Sequence, residues 1–273
     1  MKIASKLYVF LIFAFLYAPL LIIAFFSFNS TDSTAVFEGL SFRWYRELFR
    51  DGETLAALKN TLVLAAVSSL VSAVIGTAAA VGISKMKKGF FRKSLMTVTN
   101  MPMMNPDIVT GVSMMLLFVL VGALVNSKNV LGFPTILIAH ITFQLPYVIL
   151  SILPKIKQMD KHLPEAAMDL GCTPVQSFFK VELPAIMPGI ITGLMMAFTL
   201  SMDDFVISYF VSGTSYQTLP IRIFSMTKKR VKPDMYALST LIFVSVLVLL
   251  ILINLPSKEE RMKKKNNKKS KVG

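Results

Sequence analysis

Two adjacent carboxylates stand inside an apolar stretch in the last third of the chain. Asp203 and Asp204 follow Pro188 by 15 and 16 residues. In a membrane-spanning helix, a rise of about 1.5 Å per residue would put them roughly 22–24 Å along the axis, in the outer half of a bilayer. An ionisable side chain in hydrocarbon is costly, and it therefore indicates a functional position. Because successive helical residues point about 100° apart, only one of the pair needs to face a pore.

A second polar position interrupts the apolar sequence "MPMMNPDIVTG". Pro102 and Pro106 lie beside Asn105 and Asp107. Proline-broken helices that carry polar groups line the cavities of many membrane transporters. We therefore treat Asn105 and Asp107, with Asp203 and Asp204, as candidates to line a path for a solute. The alternative for each position is a place at the membrane surface, and the sequence leaves it open.

The composition indicates an integral membrane protein. The chain is 54% hydrophobic, has a mean hydropathy of +0.64, and repeatedly forms apolar runs long enough to cross a bilayer. Its net charge is +14, concentrated in loops and the tail, so we expect anionic lipid rather than nucleic acid as the partner. The single cysteine excludes an internal disulfide, and the two histidines lack the spacing of a metal site.

The apolar runs predict an all-α protein with six transmembrane helices. These runs cover about residues 7–28, 61–84, 95–125, 131–153, 188–212 and 235–255. We expect a membrane domain over residues 1–256, with a cytoplasmic loop at about 154–187, and a disordered basic tail over 257–273. The first run is longer than the apolar core of a secretory signal, so we expect an uncleaved first span.

Lysine and arginine in short loops predict the orientation. The amino end and the basic segments 85–93, 155–180 and 257–273 fall on one side, which we assign to the cytoplasm together with both termini. One basic segment, Lys-Lys-Arg-Val-Lys at 228–232, would lie outside the cell and therefore conflicts with this assignment. The other basic segments outnumber it.

The cytoplasmic loop has the local chemistry of two short helices. Pro164 suits a first helical position, and Glu165 suits the positive end of the helix dipole. Gly171 can adopt the left-handed conformation that ends a helix. The loop therefore predicts a helix that stops in a tight turn.

A second helix is predicted to begin directly after that turn. Thr173 is a cap residue, Pro174 stands at the first helical position, and Gln176 follows the cap by three residues. Pro184 and Pro188 are expected to break the chain before it enters the membrane. Packing of this loop on its own helical bundle is one interpretation of the pattern.

Another interpretation comes from a resemblance. The order Glu-Ala-Ala, three residues, Gly, nine residues, an aliphatic residue, any residue and Leu-Pro is similar to the signature of permease subunits of binding-protein-dependent ABC importers. The residues that match are Glu165, Ala166, Ala167, Gly171, Val181, Leu183 and Pro184. Val181 stands where the family usually has isoleucine, which is a mild departure.

Softer motifs resemble one branch of that family, the second (C-type) permease subunit of spermidine/putrescine importers. They are "NPDIVTG" at 105–111, "LSMDDFVISYFVSG" at 200–213 and "TLPIRIFSM" at 218–226. The resemblance implies that the loop seats in a cleft of a cytoplasmic ATPase. It also implies a homologous second permease, two ATPase copies, an extracellular polyamine-binding protein and a bacterial cell membrane.

The chain contains no Gly-Lys dipeptide and therefore lacks the phosphate-binding loop of ATPases. We expect no cofactor on this chain, with ATP and magnesium held by the partner ATPase. A permease for another solute, such as ferric iron, thiosulfate or an opine, fits the loop motif equally. An intramembrane enzyme that uses Asp107 with Asp203 or Asp204 is the alternative from another class, and it leaves the loop motif unexplained.

Overall fold

A computed structural model describes residues 2–31, 36–87, 89–126, 130–160, 162–228 and 233–254. Every named element among these residues is a helix. The tail expected at 257–273 and most of the basic segment 228–232 lie outside the described residues. The prediction of an all-α protein is confirmed.

The chain divides into two compact units, residues 1–52 with 226–273 and residues 53–225. The first unit contains α1 (Lys2–Phe26), the short α2 (Arg43–Leu48) and α12 (Pro233–Asn254). Helix α12 packs against both α1 and α2. The side chains of α1 stay largely exposed within the chain, as expected for a helix that meets lipid.

The second unit begins with four long helices, α3 (Gly52–Lys85), whose first residue belongs to the first unit, α4 (Phe90–Met104), α5 (Asp107–Leu124) and α6 (Phe133–Gln158). Two short helices follow, α7 (Leu163–Asp169) and α8 (Pro174–Ser177), and then a π-helix (Phe178–Glu182). The unit continues with α9 (Leu183–Asp203), α10 (Val206–Val211) and α11 (Leu219–Thr227), whose last two residues belong to the first unit.

Five helical segments of the described chain are long and apolar enough to cross a membrane. They are Lys6–Phe26, Gly52–Lys85, Asp107–Leu124, Phe133–Gln158 and Pro174–Asp203. Helix α12, of 22 residues, occupies the sixth predicted apolar run. The chain is thus a multi-pass membrane protein, and the number of long apolar helices in the described residues is roughly consistent with the six predicted spans.

Small residues bring α6 and α9 into close contact in the core of the second unit. A Cβ at Gly189 would come within 3.1 Å of the Ser151 carbonyl oxygen and 3.2 Å of Ile152 Cα. Only glycine fits so near a neighbouring backbone, and such approaches are typical of membrane helices. Val148, Ile152 and Ile186 are fully buried around this contact. The pair forms a packed support for the polar residues described below.

The prediction that Pro184 and Pro188 break the chain is wrong. Helix α9 begins at Leu183 and runs through both prolines. Pro184 directly follows the π-helix, whose wide turn is closed by the Leu183 N–H on the Phe178 carbonyl, so α8, the π-helix and α9 form one helical segment that passes the proline. The helix continues past Pro188 to Asp203, so the chain enters the membrane segment already helical.

The expected continuous helix through Asp203 and Asp204 is also interrupted. Helix α9 ends at Asp203, Asp204 has an extended backbone with a ψ of 117°, and α10 starts at Val206. The apolar run predicted around 95–125 is likewise split at Asn105 and Pro106. In both places the break falls at the candidate polar residues.

Candidate functional site

Asp204 is a structural carboxylate that caps the start of α10. Its Oδ2 accepts hydrogen bonds from the Ser208 backbone N–H and the Ser208 hydroxyl, both at 2.7 Å. Its Oδ1 accepts a third from the Ile207 N–H at 3.3 Å. The side chain is only 9% exposed. These bonds satisfy the first turn of α10 and explain why the helix breaks here.

His140 of α6 joins this carboxylate to α9. Its Nε2 lies 3.5 Å from Asp204 Oδ2 and 3.0 Å from Ser208 Oγ, and its Nδ1 lies 2.7 Å from Ser201 Oγ. The histidine is fully buried. A buried polar side chain of this size needs such partners, because an unsatisfied group would cost about 1–3 kcal/mol.

The contacts continue into α3. Ser68 Oγ donates to Ser201 Oγ at 3.3 Å, Gln144 Nε2 donates to Ser68 Oγ at 3.1 Å, and Ser72 Oγ donates to Gln144 Oε1 at 3.1 Å. We call this set the polar network. It comprises Ser68, Ser72, His140, Gln144, Ser201, Asp204 and Ser208, and it ties α3, α6, α9 and α10 together.

Asp203, in contrast, is exposed at the last position of α9. It lies within electrostatic range of the carboxylates of Asp204 and Asp107. Asp107 is the exposed first residue of α5. The start of α5 packs closely on the start of α10. A Cβ added at Gly111 would lie 3.3 Å from Ile207 Cα. The structure therefore brings Asp107, Asp203 and Asp204 together as one acidic cluster.

Asn105, the fourth candidate, is exposed in the interruption between α4 and α5, two residues before Asp107. The residues that sequence reasoning missed are His140 and Gln144. Both are polar residues in the apolar helix α6, four positions apart and thus on one face. That spacing is a signal, and a search for metal-ligand spacing alone passes over it.

The predicted coupling loop (154–187) contains the expected helix, tight turn and second helix. Helix α7 ends in a Schellman motif, in which the Cys172 N–H bonds the Ala167 carbonyl at 3.1 Å and the Gly171 N–H bonds the Met168 carbonyl at 2.9 Å. Gly171 has a φ of +89°, so a larger residue would be strained there. Glu165 lies in the first turn of α7, exposed and 3.1 Å from His162 Nδ1.

The second helix starts with the predicted cap. Thr173 Oγ1 accepts from the Gln176 N–H at 3.3 Å, and Gln176 Oε1 accepts from the Thr173 N–H at 3.1 Å. Ser177 is buried and donates to the Pro164 carbonyl at 3.1 Å. The two short helices are therefore fastened to each other rather than independent.

Apolar side chains remain exposed on this loop. Leu170 is 87% exposed, Val175 65% and Phe179 61%. Leu170 directly follows α7, whereas Val175 and Phe179 lie in the first two turns of the helical segment Pro174–Asp203. Exposed apolar residues of this kind are typical of a surface that binds another protein. We call these three residues the apolar face of the loop.

The other residues of the predicted coupling motif differ in exposure. Ala166 and Pro184 are exposed, Ala167 is buried, and Val181 and Leu183 are half-buried. Val181 lies within the π-helix, and Leu183 begins α9.

Comparison with known proteins gives a consistent result. Residues 72–258 match the family described as binding-protein-dependent transport system inner membrane component. The putrescine transport system permease protein PotI of Escherichia coli is 43% identical over 86% of this chain and 83% of its own length. The spermidine/putrescine transport system permease protein PotC of the same species is 37% identical over 91% of this chain and 92% of its own length.

Solved structures share the fold. A chain of a bacterial ABC transporter involved in the import of the acidic polysaccharide alginate superposes with a TM-score of 0.71, at 18% identity, over 92% of both chains. A chain of the MetNI methionine ABC transporter in an inward-facing conformation gives a TM-score of 0.58 at 18% identity, over 78% of this chain and 95% of that chain. The family match, the relatives and the shared fold agree, and the chain belongs to the family of inner membrane components of binding-protein-dependent transport systems.

Proposed function

We propose that this chain is a permease subunit of an ATP-driven importer of polyamines, such as putrescine and spermidine. The observation that carries this proposal is the 43% identity to a putrescine permease over 86% of the chain. Relatives named for spermidine and putrescine, at 35% and 37% identity, extend it to the wider class of polyamines. Transport proceeds by alternating access, driven by ATP in a partner subunit.

The acidic cluster gives this proposal a physical basis. Polyamines carry several ammonium groups, and Asp203 and Asp107 offer exposed carboxylates where two helices are broken. Attraction between unit charges at 4 Å is about 1 kcal/mol in water and about 4 kcal/mol at an effective dielectric of 20. Carboxylates in a partly dehydrated path therefore favour a cation that must shed water. Asn105 would add a neutral oxygen beside Asp107.

The predicted coupling loop supplies the contact with the partner ATPase. Its apolar face docks in a cleft of the partner ATPase, and Glu165 at the start of α7 meets polar groups there. The Schellman turn at Gly171 and the bond from Ser177 to Pro164 hold the two short helices in one shape. A loop of fixed shape can carry a displacement, whereas a flexible loop would absorb it.

The remaining subunits follow from this assignment. The permease pairs with a homologous second permease, two ATPase copies and an extracellular polyamine-binding protein. ATP and magnesium bind to the ATPase, and this chain contributes no cofactor site. It lies in the bacterial plasma membrane, in contact with anionic lipid, with both termini in the cytoplasm.

Uptake into liposomes tests the solute. The importer is purified through a tag on this chain, reconstituted with its binding protein, and supplied with ATP on the ATPase side. ATP-dependent accumulation of labelled putrescine or spermidine supports the proposal. Accumulation of ferric iron, thiosulfate or an opine without polyamine would instead assign the chain to another solute of the same family.

A further inference from the structure

An ion pair joins the end of α3 to the end of the π-helix. Lys85 Nζ lies 3.2 Å from both carboxylate oxygens of Glu182. The two partners differ in exposure, because the Glu182 side chain is 11% exposed and that of Lys85 is 61% exposed. A carboxylate so nearly buried depends on its contacts, since an unpaired charge there would be costly.

Lys85 lies near both ends of the π-helix. Its Nζ lies 6.0 Å from the centre of the Phe178 ring, at the start of that element, and binds Glu182 at its last position. The wide turn is closed by the Leu183 N–H, which bonds the Phe178 carbonyl. Short π-helices of this kind are rare and often occur at functional positions. Here the element lies within the predicted coupling loop, directly before α9.

A second contact, far from the ion pair, joins α3 to α9, the helix that continues from the π-helix. Ser68 of α3 and Ser201 of α9 are hydrogen bonded at 3.3 Å, within the polar network. At the rise of an α-helix, about 25 Å of α3 and about 28 Å of α9 separate this bond from the ion pair. Between the two ties, α9 packs closely on α6 at Gly189. Helices held at both ends move together when either end is displaced.

We propose that Lys85 and Glu182 form a positioning pair that makes α3 follow the coupling loop. Displacement of the loop by the ATPase moves the π-helix, and the pair passes this movement to α3 as well as α9. Both helices then act together on the acidic cluster, because Asp203 is the last residue of α9. This inference rests on the proposed role of the loop. When the ion pair is removed, we expect the importer to transport less solute for each ATP that it hydrolyses.

The test measures putrescine imported per ATP hydrolysed by the reconstituted importer. We expect Lys85→Met and Glu182→Gln each to lower this ratio about threefold, the scale of one partly exposed ion pair. The KM for putrescine stays unchanged, because neither residue belongs to the acidic cluster. Lys85→Arg retains the ratio, since the charge is kept. The double variant falls no further than either single variant, because each removes the same interaction.

Lys87→Met is the matched control, since Lys87 is an exposed lysine two residues beyond Lys85. It should keep the parental ratio. If either single variant fails to assemble, the double variant decides the matter, because it removes the ion pair without leaving the nearly buried Glu182 carboxylate unpaired. Parental coupling in Lys85→Met would overturn the inference. So would equal loss in Lys85→Arg, additive loss in the double variant, loss in Lys87→Met or a changed KM.

Gly171→Pro, measured in parallel, separates this inference from the assignment on which it rests. If Gly171→Pro uncouples transport while Lys85→Met does not, the positioning pair is wrong and the coupling loop stands. If Gly171→Pro also leaves coupling intact, the assignment of the loop fails, and the inference fails with it.

Discussion

His140 Nε2 lies 3.5 Å from Asp204 Oδ2, and both side chains are almost wholly buried. The pair joins α6 to the break between α9 and α10, where Asp204 also caps the next helix. Asp204 is therefore committed to the structure, which leaves its exposed neighbour Asp203 to meet a solute. This division of roles between adjacent aspartates is the basis for several predictions.

We expect His140→Ala to destabilise the protein. The change leaves Ser201, Ser208 and Asp204 with fewer partners in a buried site, and each unsatisfied group costs about 1–3 kcal/mol. Thermal unfolding of the detergent-solubilised protein should occur at a clearly lower temperature. Thr142→Ala is the matched control, because Thr142 is an exposed residue on the same helix. Equal stability of His140→Ala and Thr142→Ala would contradict the role of the polar network.

Substitutions in the coupling motif are predicted to uncouple ATP hydrolysis from solute transport. Gly171→Pro cannot adopt a φ of +89°, and Glu165→Lys reverses a charge at the exposed start of α7. We expect both variants to insert and assemble, with ATP hydrolysis retained and uptake strongly reduced. Normal uptake by both variants, with normal assembly, would show that the loop does not couple the two processes.

The charge distribution predicts the topology. A reporter fused after Gly273 should report the cytoplasm, and one inserted near Asp51 should report the outside. The reason is the excess of lysine and arginine in the segments assigned to the cytoplasm. An outside signal from the Gly273 fusion would mean that the number of spans is odd or that the orientation is reversed.

Local rules predicted local structure well. The turn at Gly171 and the cap at Thr173 depend on residues within five positions, so their sequence is sufficient to identify them. The apolar runs likewise identified the spanning helices, because length and hydropathy decide that property.

Contacts between residues that are distant in the sequence could not be predicted from short sequence patterns. The helix break at Asp204 depends on its own cap to Ser208 and on His140, which lies 64 positions away. The approach of Asp107 to Asp203 depends on how α5 packs on α10. The continuity of α9 through Pro188 also differed from the local expectation, since tertiary packing outweighs the cost of one proline.

The most direct test of the account compares ATP-driven putrescine uptake by Asp203→Asn and Asp204→Asn importers. Asparagine keeps the size of the side chain and removes its charge. We expect Asp203→Asn to lower uptake by at least about fivefold, since it loses about 1 kcal/mol or more of attraction for each ammonium group. Expression and association with the ATPase should be retained.

Asp204→Asn should show its effect mainly as lower stability, because that carboxylate caps α10 and contacts His140. The double variant should import no faster than Asp203→Asn. If Asp203→Asn, Asp204→Asn and the double variant all import putrescine at the parental rate, the acidic cluster does not line the solute path.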